Sequence, residues 1–144
     1  RAWDLYGGAG LFAAALAERV GPGGRVVLVE SDPAPDPRGN LADLPQVHVA
    51  RGRVEQVLRR RGMRDPDLVV LDPPRSGAGA DVVRRIVAAG PRAVAYVACD
   101  PAALARDVKT FRSSGWRLVD VRGFDAFPMT HHVECIALLH PPGA

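Results

Sequence analysis

Short apolar runs alternate with helical segments along this chain, and that alternation constrains the fold more than any other feature of the sequence. Strand-like runs occupy Ala2–Leu5, Arg25–Glu30, Val47–Ala50, Leu68–Leu71, Ala93–Ala98, Trp116–Gly123 and His132–Leu139. Helical segments fall at Gly10–Val20, Val54–Arg61, Ala80–Ala89 and Pro101–Ser113. Strands separated by helices cannot pair as hairpins, so they predict a largely parallel sheet with helices on both faces. The segment Pro101–Ser113 has proline at its first position, where a missing N–H leaves nothing unpaired. Leu104, Val108 and Phe111 give it an apolar stripe at helical spacing. No helix separates the last two strands, which makes "VRGFDAFPMTHHVECIALL" an antiparallel pair joined by a loop. One segment breaks the rhythm. "SDPAPDPRGN" places Pro33, Pro35 and Pro37 where a second helix is expected, and alternate prolines remove helix donors. That helix is expected to shrink to about Arg38–Leu44 or to vanish.

The 144 residues, 47% of them hydrophobic, suit one globular domain over residues 1–144 and leave no room for a second. No run approaches the roughly 20 apolar residues that span a bilayer. The first residues carry no basic-then-apolar leader, so a cytoplasmic location is expected. Cys99 and Cys135 are the only cysteines, without a CxxC pair or a zinc-type His/Cys array, so neither a disulfide framework nor a metal site is expected. The formal charge is +3, and Lys109 is the single lysine among 19 basic residues. Arginine suits phosphate recognition, yet an overall Ala/Arg/Gly/Pro bias explains the same usage. A charge this small permits nucleic-acid binding without arguing for it. "RAWDLYGGAG" enters a glycine-rich turn almost at once, which suggests a fragment of a longer protein.

Ligands of open parallel sheets bind outside the C-terminal ends of the strands, so the residues standing there are the informative ones. "DLYGGAGLF" follows the first strand with Asp4, Gly7, Gly8 and Gly10; the glycines allow close backbone approach and a tight helix start, or simply a structural turn. The second strand ends in Glu30, about 20 residues after the glycines, the usual spacing of a nucleoside site. The fourth ends in Asp72-Pro73-Pro74, where two prolines hold a rigid extended loop suited to orienting a substrate. Cys99 closes the fifth strand just before a helix N-terminus, whose dipole favours a thiolate, while the charge of Asp100 works against it. Free cysteine also packs as a small hydrophobe, and Cys135, inside the last apolar strand, reads as core filler. The last strand runs opposite to the others and so begins at this same edge, with His131, His132 and Glu134. The histidines read as surface loop residues. A carboxylate just inside "VECIALL" is costly to desolvate without a role, which suits Glu134 to proton transfer.

Taken in order, "DLYGGAGLF", "VLVESD", "VVLDPPRSGAG", "YVACDPAALARDV" and "DAFPMTHHVECIALL" resemble the RNA uridine-5-methyltransferases across essentially the whole chain. The resemblance implies an α/β class I methyltransferase fold, Rossmann-like, with a mostly parallel seven-stranded sheet and an antiparallel last strand. It implies methyl transfer from S-adenosyl-L-methionine to C5 of a uridine in ribosomal or transfer RNA. By the same resemblance, Tyr6, Gly8 and Gly10 belong to the methionine-and-adenosine loop, Glu30 is the ribose-binding acid and Asp72 the acid at the methyl donor. Cys99 is the nucleophile and Glu134 the base. Such chemistry needs both, because a thiolate must add to C6 and a base must later remove the C5 proton.

The chain departs from the family pattern at Asp100 and Leu11, where asparagine is usual, and in the proline stretch. The family's RNA-binding barrel and inserted central domain have no counterpart here, so a catalytic domain alone is expected. Two other readings stay open: a methyltransferase of another nucleobase or of a protein amide, and an S-adenosylmethionine-binding module without catalysis.

Overall fold

The computed structural model describes residues 1–34, 36–126, 128–130 and 133–144. Its elements run β1 (Ala2–Leu5), α1 (Leu11–Val20), β2 (Val26–Glu30), α2 (Pro37–Asn40), β3 (Val47–Arg51) and α3 (Val54–Val57). There follow β4 (Leu68–Leu71), α4 (Ala80–Ala89), β5 (Ala93–Ala98), α5 (Pro101–Ser113), β6 (Arg117–Phe124) and β7 (Glu134–His140). The seven strands form one sheet in the order β3-β2-β1-β4-β5-β7-β6. The pairs β3–β2, β2–β1, β1–β4 and β4–β5 are parallel, whereas β7 runs antiparallel to both β5 and β6. Strand order reverses between β1 and β4, the crevice where open α/β sheets take ligands.

Period-two alternation divides the core between the two faces. Ala2, Val26 and Leu28 pack with Ala13 and Ala17 of α1 and with Leu41, the small alanines letting α1 lie close to the strands. Trp3, Leu5, Val29, Val69, Leu71 and Tyr96 form the larger cluster under α3, α4 and α5, with Ile86 and Phe111 fully buried. Trp116 does not extend β6. It is buried against Phe111, with ring centroids 5.5 Å apart, and its amide donates to Phe111 O at 3.2 Å, closing α5.

The proline-rich segment keeps one helical turn, α2, somewhat earlier than the expected position. Pro37 opens it, and Asp36 caps it by accepting from the Arg38 amide at 3.1 Å. The Arg38 and Arg51 guanidinium groups also pair with Asp36, holding its carboxyl well below the usual carboxylate range. α3 stops at Val57 rather than Arg61. Leu58 turns into the core and the amides of Arg59 and Arg60 bond three residues back, which lets Arg60 reach Arg51 O at 3.1 Å. No helix among the described residues is long and apolar enough to cross a membrane.

Candidate active site

The alternation of the sheet decides which polar groups share a face at the edge where β1, β2, β4 and β5 end and β7 begins. Asp4 pairs with Val70, Val70 with Ala95, and Ala95 with Leu138. Residues two apart in a strand point the same way. Continued one step past the strand ends, this row, on the α1 face, takes in Asp72 and Cys99 and meets Glu134 at the start of β7. The ladder between β5 and β7 ends at the pair Ala98↔Cys135, and Cys99 and Glu134 are the residues that flank that pair. Both are half-buried, whereas Cys135 points to the other face and is buried in the core. His131 and His132 lie outside the described residues. The described residues include no group of three or more His, Cys, Asp or Glu able to hold a metal ion.

Asp100 turns out to be the N-cap of α5, its Oδ1 accepting from the Ala103 amide at 2.8 Å. Its carboxylate therefore serves the helix while sitting next to Cys99. Asp72 is exposed as a residue, but partial desolvation and then the charge of Glu134 push its carboxyl above the ordinary value. The two acids are thus close enough to feel one another.

The glycine turn is built around Glu30. Its Oε2 accepts from the Gly8 amide at 2.9 Å and its Oε1 from the Ser31 and Asp32 amides at 2.7 Å each. Gly8 has φ 52°, and a Cβ there would meet open space, so backbone conformation rather than crowding requires glycine. Gly10 has φ 95° and lies against Leu41, whose Cδ1 would be 2.8 Å from an added Cβ. Tyr6 adopts φ 62°, unusual for a non-glycine residue, and packs against the larger core. Burial, then the charges of Glu55 and Asp107, keep its phenol well above the ordinary value.

Asp4 is a functional candidate to which the sequence alone assigns no role. It has no accessible surface, and neither carboxylate oxygen has a hydrogen-bond partner among the described residues. Burial pushes its pKa up to about 7; the nearby Ala13 amide lowers it without completing a hydrogen bond, and the charges of Asp72 and Glu30 raise it. The available signal is one acid inside the apolar strand "AWDL". A cavity of about 280 Å³ beside Arg1, Arg25 and Asp65 opens at the opposite edge, away from all these groups.

The family model described as tRNA (Uracil-5-)-methyltransferase matches residues 62–141, more than half of the chain. The chain belongs to the tRNA (uracil-5-)-methyltransferase family. A relative from Streptomyces avermitilis, named as an uncharacterized RNA methyltransferase, is 54% identical over 142 residues, 97% of this chain and 33% of its own. Another so named, from Bifidobacterium longum, is 45% identical over 94% of this chain and 33% of its own. The chain thus spans about a third of the length of the curated relatives it matches. The solved tRNA (uracil-54, C5)-methyltransferase of Pyrococcus abyssi, in complex with S-adenosyl-L-homocysteine, has a TM-score of 0.79 at 30% identity. That match covers 96% of this chain and 34% of the other. Fibrillarin of Aeropyrum pernix, at 21% identity and a TM-score of 0.76, shares the fold over 95% of this chain and 65% of its own. The fold of this tRNA (uracil-5-)-methyltransferase family member is the expected α/β class I architecture, with the mostly parallel seven-stranded sheet and the reversed last strand.

Proposed function

We propose that this chain is the catalytic domain of an enzyme that methylates C5 of a uridine in ribosomal or transfer RNA, in the cytoplasm, with S-adenosylmethionine as donor. Cys99 is the nucleophile and Glu134 the base. The observation that carries this reading is the β5–β7 register, whose last pair, Ala98 with Cys135, is flanked directly by Cys99 and Glu134. Family membership supports the substrate class, and the Pyrococcus abyssi relative, solved with S-adenosyl-L-homocysteine, supports the donor.

A cationic donor fits the residues present. Asp4 offers a buried carboxylate with no hydrogen-bond partner among the described residues. Glu30 has three amides on its oxygens and keeps acceptor capacity for a hydroxyl. Tyr6, Gly8 and Gly10 shape the turn that would lie along the donor, and Asp72 flanks it. Bound there, S-adenosylmethionine supplies an electrophilic sulfonium methyl.

The protein's own steps come before and after that transfer. The Cys99 thiolate adds to C6 of the uracil, and the C5–C6 electron pair moves toward the C4 carbonyl, making C5 nucleophilic. Once C5 bears both the methyl group and its original hydrogen, Glu134 takes that proton. The freed electron pair re-forms C5=C6 as the C6–sulfur bond breaks and the thiolate leaves.

RNA carrying 5-fluorouridine tests the scheme, because fluorine at C5 cannot be removed by a base. The full natural polypeptide should form a covalent RNA adduct that requires both donor and Cys99. An adduct of equal yield in Cys99→Ala would sink the nucleophile. With ordinary uridine, Glu134→Gln should accumulate methylated adduct and slow turnover by about 10²–10⁴-fold; release at the wild-type rate contradicts its role as base.

A further inference from the structure

The loop after β4 is fastened to α5 by a buried carboxylate that the chemistry above does not use. Asp107, midway along α5, is 1% exposed. Its Oδ2 accepts from the Tyr96 hydroxyl at 2.6 Å, the Ala78 amide at 2.7 Å and the Gly79 amide at 3.3 Å. The Ala78 amide also donates to the Tyr96 hydroxyl at 3.1 Å. Asp107 Oδ1 has no hydrogen-bond partner among the described residues, with Arg106 Nε 3.5 Å away. Arg106 donates in turn to Ser76 O. Gly77, at φ 79°, fits so closely that a Cβ would lie 2.7 Å from Asp107 Oδ2 and 2.6 Å from Arg106 Nη2.

Apolar packing alone would hold a helix against a loop without the desolvation penalty of a buried carboxylate. What the carboxylate adds is direction: charge-assisted bonds to two successive amides fix where that backbone sits. Tyr96 remains a donor throughout the working pH range, since burial and its bond to Asp107 hold the phenol well above its ordinary value. The three elements joined here are the ones that carry the site. Tyr96 lies three residues before Cys99, Asp107 lies on the helix that begins just after Cys99, and Ala78 and Gly79 end the loop that starts at Asp72.

We propose that Asp107, acting through Tyr96 and the Ala78 and Gly79 amides, is a positioning residue. It holds the loop of residues 73–79 in register with the Cys99–α5 junction and so orients the uridine against the thiol. The second half of this proposal rests on the function argued above.

The test measures amide hydrogen exchange at Ala78 and Gly79, donor affinity by calorimetry, and kcat and KM for RNA methylation, all in the full natural polypeptide. Asp107→Ala should speed exchange at both amides by about tenfold or more and lower kcat by about 10–100-fold, with donor affinity within about twofold of wild type. Asp107→Asn, which keeps an acceptor oxygen, should recover most of the kcat. Tyr96→Phe removes one hydroxyl from the same clasp and should act in the same direction with a smaller effect, which keeps the test decisive if Asp107→Ala fails to fold. Unchanged exchange at Ala78 and Gly79, or faster exchange with unchanged kcat, overturns the proposal. So does a parallel fall of donor affinity, kcat and melting temperature, the mark of a merely structural residue. If the wild type methylates no uridine, the functional reading fails, while the exchange data still uphold or overturn the clasp.

Discussion

A carboxyl group with a pKa of 3.8 in the open chain and about 7 in the folded protein takes up a proton on folding at any pH between those values. For Asp4 the sign follows directly. The native state binds more protons than the unfolded state in that window, so stability is highest below it, falls as pH rises through it, and stays reduced above about 7. Between about pH 5 and pH 8 the loss attributable to Asp4 is on the order of 2–3 kcal/mol. Thermal melts should therefore show wild type losing stability across that range, with Asp4→Asn losing clearly less. If Asp4 faces a cationic donor, S-adenosylmethionine should also bind more tightly as pH rises through neutrality, and calorimetry on Asp4→Asn should show that dependence flattened. None of this was legible in the sequence, since an acid in a short strand acquires these properties only when α1 and the glycine turn close over it. The placement of Cys99 and Glu134 was easier to read. Each stands at a strand end where the apolar run breaks, and strand polarity alone brings them to one edge.

At the scale of elements, most strand and helix positions were readable because Gly, Pro and apolar periodicity mark them, as at β1, β4, α4, β5 and α5. The misjudged boundaries are those set by distant partners. α3 ends early because Arg60 turns back to Arg51 O, and Trp116 leaves β6 because Phe111 draws it onto the end of α5. The start of α5 shows the same limit, for adjacency to Cys99 made Asp100 look only like an electrostatic obstacle, whereas it is also the helix cap. Asparagine caps about as well as aspartate, and alanine does not. Asp100→Asn should leave stability within a few tenths of a kcal/mol, while Asp100→Ala should lose about 1 kcal/mol in denaturant melts. With the negative charge gone and the cap kept, Asp100→Asn should also react with 5-fluorouridine RNA a few-fold faster than wild type. A slower reaction would mean that the charge helps the thiol.

Across the whole molecule, the sheet's two outer strands are managed differently. β3 lies beside β2 with all its residues but His48 half-buried, and Arg51 at its end donates to Asp32 O and pairs with Asp36. Among the described residues β6 pairs only with β7, and all eight of its residues are exposed. Exposed apolar side chains stand on both faces of this corner, Leu118 and Val121 of β6 on one and Phe124 of β6 with Ile136 of β7 on the other. Such an edge offers both unpaired backbone groups and apolar surface to another chain. Its safeguards are an irregular register between Leu118 and Asp120 and the charges of Arg117, Asp120 and Arg122. Arg122 pairs with Asp120 at 3.0 Å, which partly cancels the repulsion those charges would give. Expressed as these 144 residues, the protein should therefore self-associate with rising concentration in sedimentation velocity. Leu118 and Val121 oppose Leu139 and Ala137 and so share one face; changing both to lysine should return the population toward monomer. Because β6 lies four strands away from β1, S-adenosylmethionine binding should be unaffected by the same pair of changes. Wild-type protein that stays monomeric at high micromolar concentration would show that the bulge and charges already protect the edge.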